Sequence, residues 1–149
     1  MKVDVPIEVR YAETDAMGIV YHANYLVWFE VARSRFLETI GFPYTLIEDA
    51  GYLCPVLDMS VSYGLPFKYG DTAIVRVGIE KTNQTKTVYT YEVYLKGEED
   101  SGKKPRVTGR STHGIVDKEN FRPQSIKRKF PQLYERYLEV LESEDVAES

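Results

Sequence analysis

The chain changes its hydrophobic period once, and that change limits the folds it can adopt. Residues 25–40 carry apolar side chains at helical spacing, whereas from Cys54 to Val116 apolar side chains recur at every second position in four separate runs. A fifth alternating run, residues 7–11, precedes the helix. Short, turn-like connections join the later runs, as is typical of antiparallel neighbours. The pattern predicts an α+β domain in which one long helix packs on a curved, five-stranded antiparallel sheet.

Start and stop signals bound the predicted helices. Asn24 is the predicted N-cap of the long helix, and Gly41 with Pro43 is predicted to end it. A short helical turn is expected directly after that stop. Pro131 is predicted to open a short C-terminal helix, and the acidic tail over residues 142–149 is expected to fray.

Composition narrows the class of protein. With 149 residues, of which 43% are hydrophobic and 28% charged, the chain is predicted to form one globular domain over residues 1–149. The net charge of −4 argues against a nucleic-acid partner. A single cysteine, Cys54, excludes an intramolecular disulfide and favours a reducing compartment. No signal-peptide pattern or membrane span is recognisable, so a cytoplasmic protein is expected.

Several common sites are absent from the sequence. There is no G-x-S-x-G elbow, no Walker-type glycine loop and no C-x-x-C pair. The only histidines, His22 and His113, are far apart in sequence, so no metal site is predicted. Cys54 is interpreted as a small buried residue and not as a nucleophile.

Two charged features each have a structural and a functional interpretation. Glu30 precedes Arg33 by three residues, which predicts a surface ion pair on the helix, and the alternative is a second active-site acid. The basic run Lys127–Lys129 is interpreted as a solvated face, with contact to an anionic ligand as the alternative.

The segment ETDAMGIVYHAN, residues 13–24, places carboxylates and a histidine directly before the long helix. Turn chemistry followed by a helix cap explains this composition without any activity. A catalytic interpretation is also open, because the N–H groups at a helix start carry partial positive charge and suit an oxygen that becomes negative during acyl transfer. A carboxylate held nearby can attack an activated carbonyl or deprotonate water, and a thioester is such a carbonyl.

Residues 9–33, VRYAETDAMGIVYHANYLVWFEVAR, resemble the opening motif of hot-dog-fold acyl-CoA thioesterases of the 4-hydroxybenzoyl-CoA thioesterase type, a branch that includes the Tol-Pal-associated thioesterases. A second shared segment, VSYGLPFKYGD, contains Pro66, Gly70 and Asp71, and the resemblance remains collinear to about Pro123. It implies a hot-dog fold and hydrolysis of acyl-CoA to a free acid and CoA, with no metal or organic cofactor.

The resemblance also implies roles for residues of the opening motif. Asp15 matches the catalytic aspartate, which acts as nucleophile or general base. The backbone N–H of His22 matches the group that polarises the thioester carbonyl, and the His22 side chain matches one that orients substrate or water. Gly18 matches a turn glycine that lets the backbone approach closely. Each of these residues is therefore a candidate site residue.

Further candidates are implied for substrate binding. Tyr11 and Asn24 match positions that support the site, and Tyr21 is a third candidate beside them. Where some family members carry an Arg/Lys run against the nucleotide phosphates, this chain has only Lys81 and Lys86 close by. These two lysines are the candidate nucleotide anchor, and a different carrier such as an acyl-carrier protein remains open.

The family resemblance also implies a homo-oligomer. Members join sheets edge to edge into homodimers, often paired into tetramers, and the acyl and pantetheine channel runs along the dimer interface. Two alternatives to a thioesterase stay open from the residues alone. One is a hot-dog dehydratase acting on acyl thioesters, and the other is a non-catalytic acyl-CoA or lipid binder.

Overall fold

The computed structural model describes the backbone of residues 1–148 and the side chains of residues 1–142. The five long strands form one antiparallel sheet in the order β1-β4-β5-β6-β3. A two-stranded ribbon, β2 with β7, lies beside it. The strands are β1 Lys2–Glu8, β2 Tyr52–Leu53, β3 Val56–Tyr63, β4 Thr72–Thr82, β5 Lys86–Leu95, β6 Val107–Gly114 and β7 Val116–Asp117.

Two longer helices and two short ones complete the domain. They are α1 Asn24–Thr39, α2 Tyr44–Asp49, α3 Ile126–Lys129 and α4 Pro131–Glu148. Gly41 follows α1 with a φ of 81°, and Pro43 precedes α2, so the predicted stop and the short second helix are confirmed. The prediction that residues 142–149 fray concerns residues that, apart from residue 142, have side chains outside the described part of the structure.

The α+β class with one long helix on a five-stranded antiparallel sheet is confirmed. The aromatic rings of α1 face the sheet: Phe29 stacks on Tyr91 of β5 with ring centroids 4.3 Å apart. Gly109 of β6 allows that approach, because a Cβ there would lie 2.3 Å from the Phe29 ring. α4 closes the other end of the core through Tyr137, whose hydroxyl lies 2.7 Å from that of Tyr89.

Two local predictions are wrong. The first strand ends at Glu8, and residues 11–13 form a 3₁₀ turn that leaves Tyr11 76% exposed. Asn24 is the first residue of α1 and not its cap, because Ala23 already has helical dihedrals and no side chain caps the helix. The Asn24 amide instead donates to the carbonyl of Glu13 at 2.8 Å.

Candidate active site

Asp15 lies at the start of a tight chain reversal. Its backbone N–H donates to the carbonyl of Ile19 at 2.9 Å, and the N–H of Gly18 donates to the carbonyl of Asp15 at 3.0 Å. Gly18 has a φ of 79°, a conformation that other residues rarely adopt, so the predicted turn glycine is explained. The reversal presents the half-buried Asp15 side chain from a fixed backbone.

The two carboxylate oxygens of Asp15 differ in their surroundings. Oδ1 accepts a hydrogen bond from the backbone N–H of Met17 at 2.8 Å, which is ordinary turn chemistry. Oδ2 has no hydrogen-bond partner among the described residues. The side chain is therefore oriented by one oxygen, and the other is available to a substrate or water.

Glu13 joins the reversal to the start of α1. Its carbonyl accepts hydrogen bonds from the N–H of Tyr21 and from the amide of Asn24, both at 2.8 Å. Its side chain is only 5% exposed and accepts from the backbone N–H of Arg10 and the indole N–H of Trp28, each at 2.8 Å. Glu13 thus fixes the loop that carries Asp15 against the helix entrance.

The helix entrance presents free backbone donors. Within the described part of the chain, neither the N–H of His22 nor that of Ala23 has a hydrogen-bond acceptor. These groups directly precede a helix of 16 residues, so they share the positive end of its dipole. An oxygen that gains negative charge would be stabilised there.

Aromatic side chains surround this entrance. The exposed His22 ring lies 4.4 Å from that of Tyr21 and 6.2 Å from that of Tyr63, between ring centroids. The Tyr63 hydroxyl donates to the His22 carbonyl at 3.1 Å. The ring of Tyr11 contacts that of Tyr69, with centroids 5.7 Å apart, and has no ring contact with this group among the described residues.

The candidate nucleotide anchor lies elsewhere in the same protomer. Lys81 and Lys86 line a surface pocket together with Arg110, beside the turn between β4 and β5. The opening motif follows Glu8, which pairs with Thr72 at the opposite end of β4. At about 3.3 Å per residue, nine residues of strand separate the two places by about 30 Å. One protomer therefore does not bring these lysines beside Asp15.

A cavity of about 350 Å³ lies along α1. Glu30, Arg33 and Ser34 line it from the helix, and its other walls include Cys54 and His113. Its nearest lining residue on the helix, Glu30, is six residues after Asn24, or about 9 Å along the helix axis. The cavity extends from there to Val56, at the end of β3 opposite Tyr63. Sequence reasoning did not find it, since the lining comes from elements far apart in the chain.

The titratable groups in this cavity are mostly neutral. Burial and the nearby Arg33 guanidinium lower the pKa of His113 to about 3. Cys54 is half-buried and not fully buried as the sequence predicts, and desolvation raises the pKa of its thiol to about 12, which disfavours the reactive thiolate. Burial also raises the pKa of Tyr89 and Tyr137.

The predicted ion pair between Glu30 and Arg33 is wrong. No carboxylate lies within ion-pairing distance of Arg33 among the described residues, and its side chain instead donates a long hydrogen bond of 3.4 Å to the Tyr91 hydroxyl. Arg33 turns into the cavity, whereas the pair predicted from spacing assumed that it lies on the outer surface of the helix.

No cluster of three or more potential metal ligands occurs among the described residues. In that same part of the chain, no helix is long and apolar enough to cross a membrane. The basic run Lys127–Lys129 forms α3, and the N–H of Ile126 at its start donates to the carbonyl of Gln84 at 2.6 Å. Both candidate basic segments therefore lie at the same end of the sheet.

Comparison with known proteins identifies the family. The model of the thioesterase-like superfamily matches residues 9–140. YneP of Bacillus subtilis, named as a candidate acyl-CoA thioesterase, is 48% identical over 131 residues, which cover 88% of this chain and 91% of YneP.

Solved structures share the architecture. A DHNA-CoA thioesterase from Staphylococcus aureus superposes with a TM-score of 0.90 and 34% identity, covering 98% of this chain and 95% of that one. A 4-hydroxybenzoyl-CoA thioesterase mutant in complex with 4-hydroxybenzoyl-CoA gives a TM-score of 0.72 over 84% of this chain and 91% of its own. Its identity of 16% supports the shared fold alone. The chain therefore belongs to the thioesterase-like superfamily, with the hot-dog fold and the thioester-hydrolase class that its opening motif predicts.

Proposed function

We propose that this protein hydrolyses acyl-CoA thioesters to a free acid and CoA, with Asp15 as nucleophile or general base. The observation that supports this most is the pairing of two features within one motif. Asp15 keeps one carboxylate oxygen without a partner among the described residues, and the helix entrance held to the same loop by Glu13 keeps unpaired N–H groups. A turn that served only to cap a helix would not need either.

The chemistry follows from these two features. The thioester carbonyl oxygen accepts hydrogen bonds at the helix entrance, where the N–H of His22 stabilises the charge that develops on it. Oδ2 of Asp15 then attacks the carbonyl carbon or takes a proton from the water that attacks it. The carbon–sulfur bond breaks and CoA leaves as the thiolate, which takes up a proton. If Asp15 attacks, the acyl group remains bound to it as an anhydride, and a water molecule then hydrolyses that anhydride and restores the Asp15 carboxylate. If Asp15 acts as the base, the attacking water itself supplies the new oxygen. By either route the acyl group leaves as the carboxylate.

The cavity along α1 suits the acyl group of such a substrate. Its first lining residue, Glu30, lies about 9 Å along the helix from Asn24, so an acyl group bound with its carbonyl at the helix entrance can extend into it. A volume of about 350 Å³ is at the small end of the range of roughly 300–1,000 Å³ for ligand pockets.

Release of free thiol tests the proposal. Purified protein is mixed with a panel of acyl-CoAs and an acyl-carrier thioester, and thiol is followed with a thiol-reactive dye. We expect thiol release in step with formation of the free acid. Acyl-CoA that binds without release of thiol indicates a non-catalytic binder, and acyl chains altered with the thioester intact indicate a dehydratase. Either result contradicts the proposal.

A further inference from the structure

The carbonyl of His22 accepts its hydrogen bond from outside the helix. In a regular α-helix this carbonyl would accept from the N–H four residues later, that of Leu26. The N–H of Leu26 donates instead to the carbonyl of Ala23, at 3.2 Å. The hydroxyl of Tyr63 on β3, 41 residues along the chain, donates to the His22 carbonyl at 3.1 Å. A side chain of the sheet thus replaces the helical donor at this peptide group.

Aromatic neighbours hold the Tyr63 ring in place. Its centroid lies 5.7 Å from that of Tyr25, which is buried, and 6.2 Å from that of His22. Tyr25 in turn packs edge-on against Trp28, with centroids 4.9 Å apart. Water could also satisfy the His22 carbonyl, because His22 is exposed. A water molecule would have to reorient as charge develops nearby, whereas a hydroxyl on an anchored ring already points at the carbonyl.

Two consecutive peptide groups at the helix entrance share one arrangement. In the first, the Tyr21 carbonyl accepts from the N–H of Asn24 at 2.9 Å, and the N–H of His22 has no acceptor among the described residues. In the second, the His22 carbonyl accepts from Tyr63, and the N–H of Ala23 has no acceptor in the same part of the chain. A hydrogen bond to the carbonyl of a peptide group polarises that group and makes its N–H a stronger donor. Both free N–H groups are therefore strengthened donors.

We infer that the N–H of Ala23 donates to the thioester oxygen beside that of His22, and that Tyr63 is the positioning residue that strengthens this second donor. The inference rests on the proposed function and adds a group to the site that stabilises the developing charge. A neutral carbonyl oxygen gains little from a stronger donor, whereas the negative oxygen that forms when the carbon is attacked gains more. Tyr63 therefore acts on kcat and not on KM.

Tyr63→Phe tests this role, because it removes the hydroxyl and keeps the ring. The substrate is the acyl-CoA of the panel that the wild type hydrolyses fastest. We expect kcat to fall roughly 2- to 8-fold with KM nearly unchanged, since only a fraction of the effect of a complete oxyanion donor is lost. Tyr69→Phe is the matched control, at an exposed tyrosine whose hydroxyl has no hydrogen-bond partner among the described residues. It should keep both constants.

The stretching frequency of the bound thioester carbonyl separates this role from a merely structural one. The same acyl-CoA, with ¹³C at the thioester carbonyl, is bound to Asp15→Asn, and the frequency is measured by isotope-edited Raman difference spectroscopy. Adding Tyr63→Phe to Asp15→Asn should raise the frequency, because weaker donors polarise the carbonyl less. Adding Tyr69→Phe should leave it unchanged.

The outcomes identify which proposal fails. An unchanged kcat in Tyr63→Phe, a rise in KM alone, or a fall in kcat without a rise in frequency overturns the role of Tyr63 and leaves the thioesterase activity standing. If Tyr63→Phe does not fold, 3-fluorotyrosine is placed at position 63. Its hydroxyl is a stronger donor, so kcat should rise and the carbonyl frequency should fall, and any other result overturns the inference. Failure of the wild type to release thiol from any acyl-CoA of the panel overturns the proposed function, and this inference with it.

Discussion

Glu13 is a buried carboxylate whose partners are all donors. Its Oε1 accepts from the N–H of Arg10, its Oε2 from the indole of Trp28, and its carbonyl from Tyr21 and Asn24. An N–H donor therefore faces each of the two side-chain oxygens, and both oxygens act as acceptors. These contacts position the loop that carries Asp15 against the start of α1.

Glu13→Gln tests that role. The amide NH₂ would face a donor, leaving one buried group unsatisfied, and we expect a loss of about 1–3 kcal/mol in the free energy of unfolding. Urea denaturation measures it, with Glu135→Gln on the exposed side of α4 as the control. Equal stability of the two variants would show that the Glu13 network does not hold the motif together.

His113 makes stability depend on pH in a defined direction. Its pKa is lowered to about 3 in the folded protein, chiefly by burial, from a usual value of about 6.5. As the pH falls from about 6.5 towards 3, the unfolded chain takes up a proton that the folded chain does not, so the free energy of unfolding decreases. The stability that neutral His113 contributes is fully present above the pKa of histidine in the unfolded chain, and it is lost as the pH falls below that pKa.

The matched experiment compares the parent with His113→Gln from pH 7 to pH 4. We expect the parent to lose stability relative to the variant as the pH falls, because the variant lacks the buried group that titrates. His22→Gln, at an exposed position, is the control for losing one histidine. If the difference in the free energy of unfolding between the parent and His113→Gln stays constant with pH, the lowered pKa of His113 is contradicted.

At the scale of single residues, the sequence predicts a residue's role correctly when the contacts that set this role are local in the chain. Gly18 could be assigned from the motif because its turn is local. The capping role predicted for Asn24 failed because the helix begins one residue earlier than predicted, with Ala23 already in helical dihedrals, and the Asn24 amide donates to Glu13, eleven residues earlier. The partner predicted for Arg33 failed because a cavity formed by distant elements draws it inward. His113 could have been predicted as buried, since it alternates with Arg110 and Thr112 on β6.

At the scale of elements, periodicity located the strands but not all their ends. The alternation continues to Tyr11, yet pairing with β4 ends at Glu8 and the chain turns into a 3₁₀ segment. The ribbon of β2 and β7 was missed because two-residue strands have no period to detect. Gly109 was not foreseen either, since its reason is the ring of Phe29 above it.

The turn between β4 and β5 carries the candidate nucleotide anchor. If Lys81 and Lys86 contact phosphates, replacing both with Ala should raise KM for acyl-CoA and leave kcat nearly unchanged, because uniform binding is lost. The increase should shrink at high salt, which screens the attraction. Lys118→Ala is the control, at an exposed site on a different turn. An unchanged KM would contradict Lys81 and Lys86 as the nucleotide anchor and leave Lys127–Lys129 as the next candidate.

At the scale of the whole molecule, β3 is an edge of the sheet. Its unpaired backbone groups lie beside exposed apolar side chains, with Val56 and Leu57 each 50% exposed and Tyr63 51%. Such an edge usually pairs or is protected. The Tyr63 end lies at the helix entrance, and the Val56 end at the cavity. If two copies paired their β3 strands about a two-fold axis, the Tyr63 end of each strand would lie beside the Val56 end of the other.

We therefore expect a dimer or tetramer in solution. Light scattering at micromolar concentration measures the mass, and a thioesterase assay of the same sample measures activity. Edge pairing would also bring Lys81 and Lys86 of one copy towards the Asp15 motif of the other, closing the separation of about 30 Å within a protomer. A stable monomer with full activity would contradict a site completed at the interface.

Steady-state hydrolysis by Asp15→Asn tests the central claim most directly. Asn keeps the size of the side chain and an oxygen for the N–H of Met17, so the turn should persist, with stability within about 1 kcal/mol of the parent. The charge needed for attack or proton transfer is removed, so kcat should fall by roughly 10²–10⁴-fold. Asp117→Asn is the matched control, since Asp117 accepts from the N–H of Glu119 in a comparable turn. A folded Asp15→Asn variant that retains more than half the parent rate would contradict the mechanism.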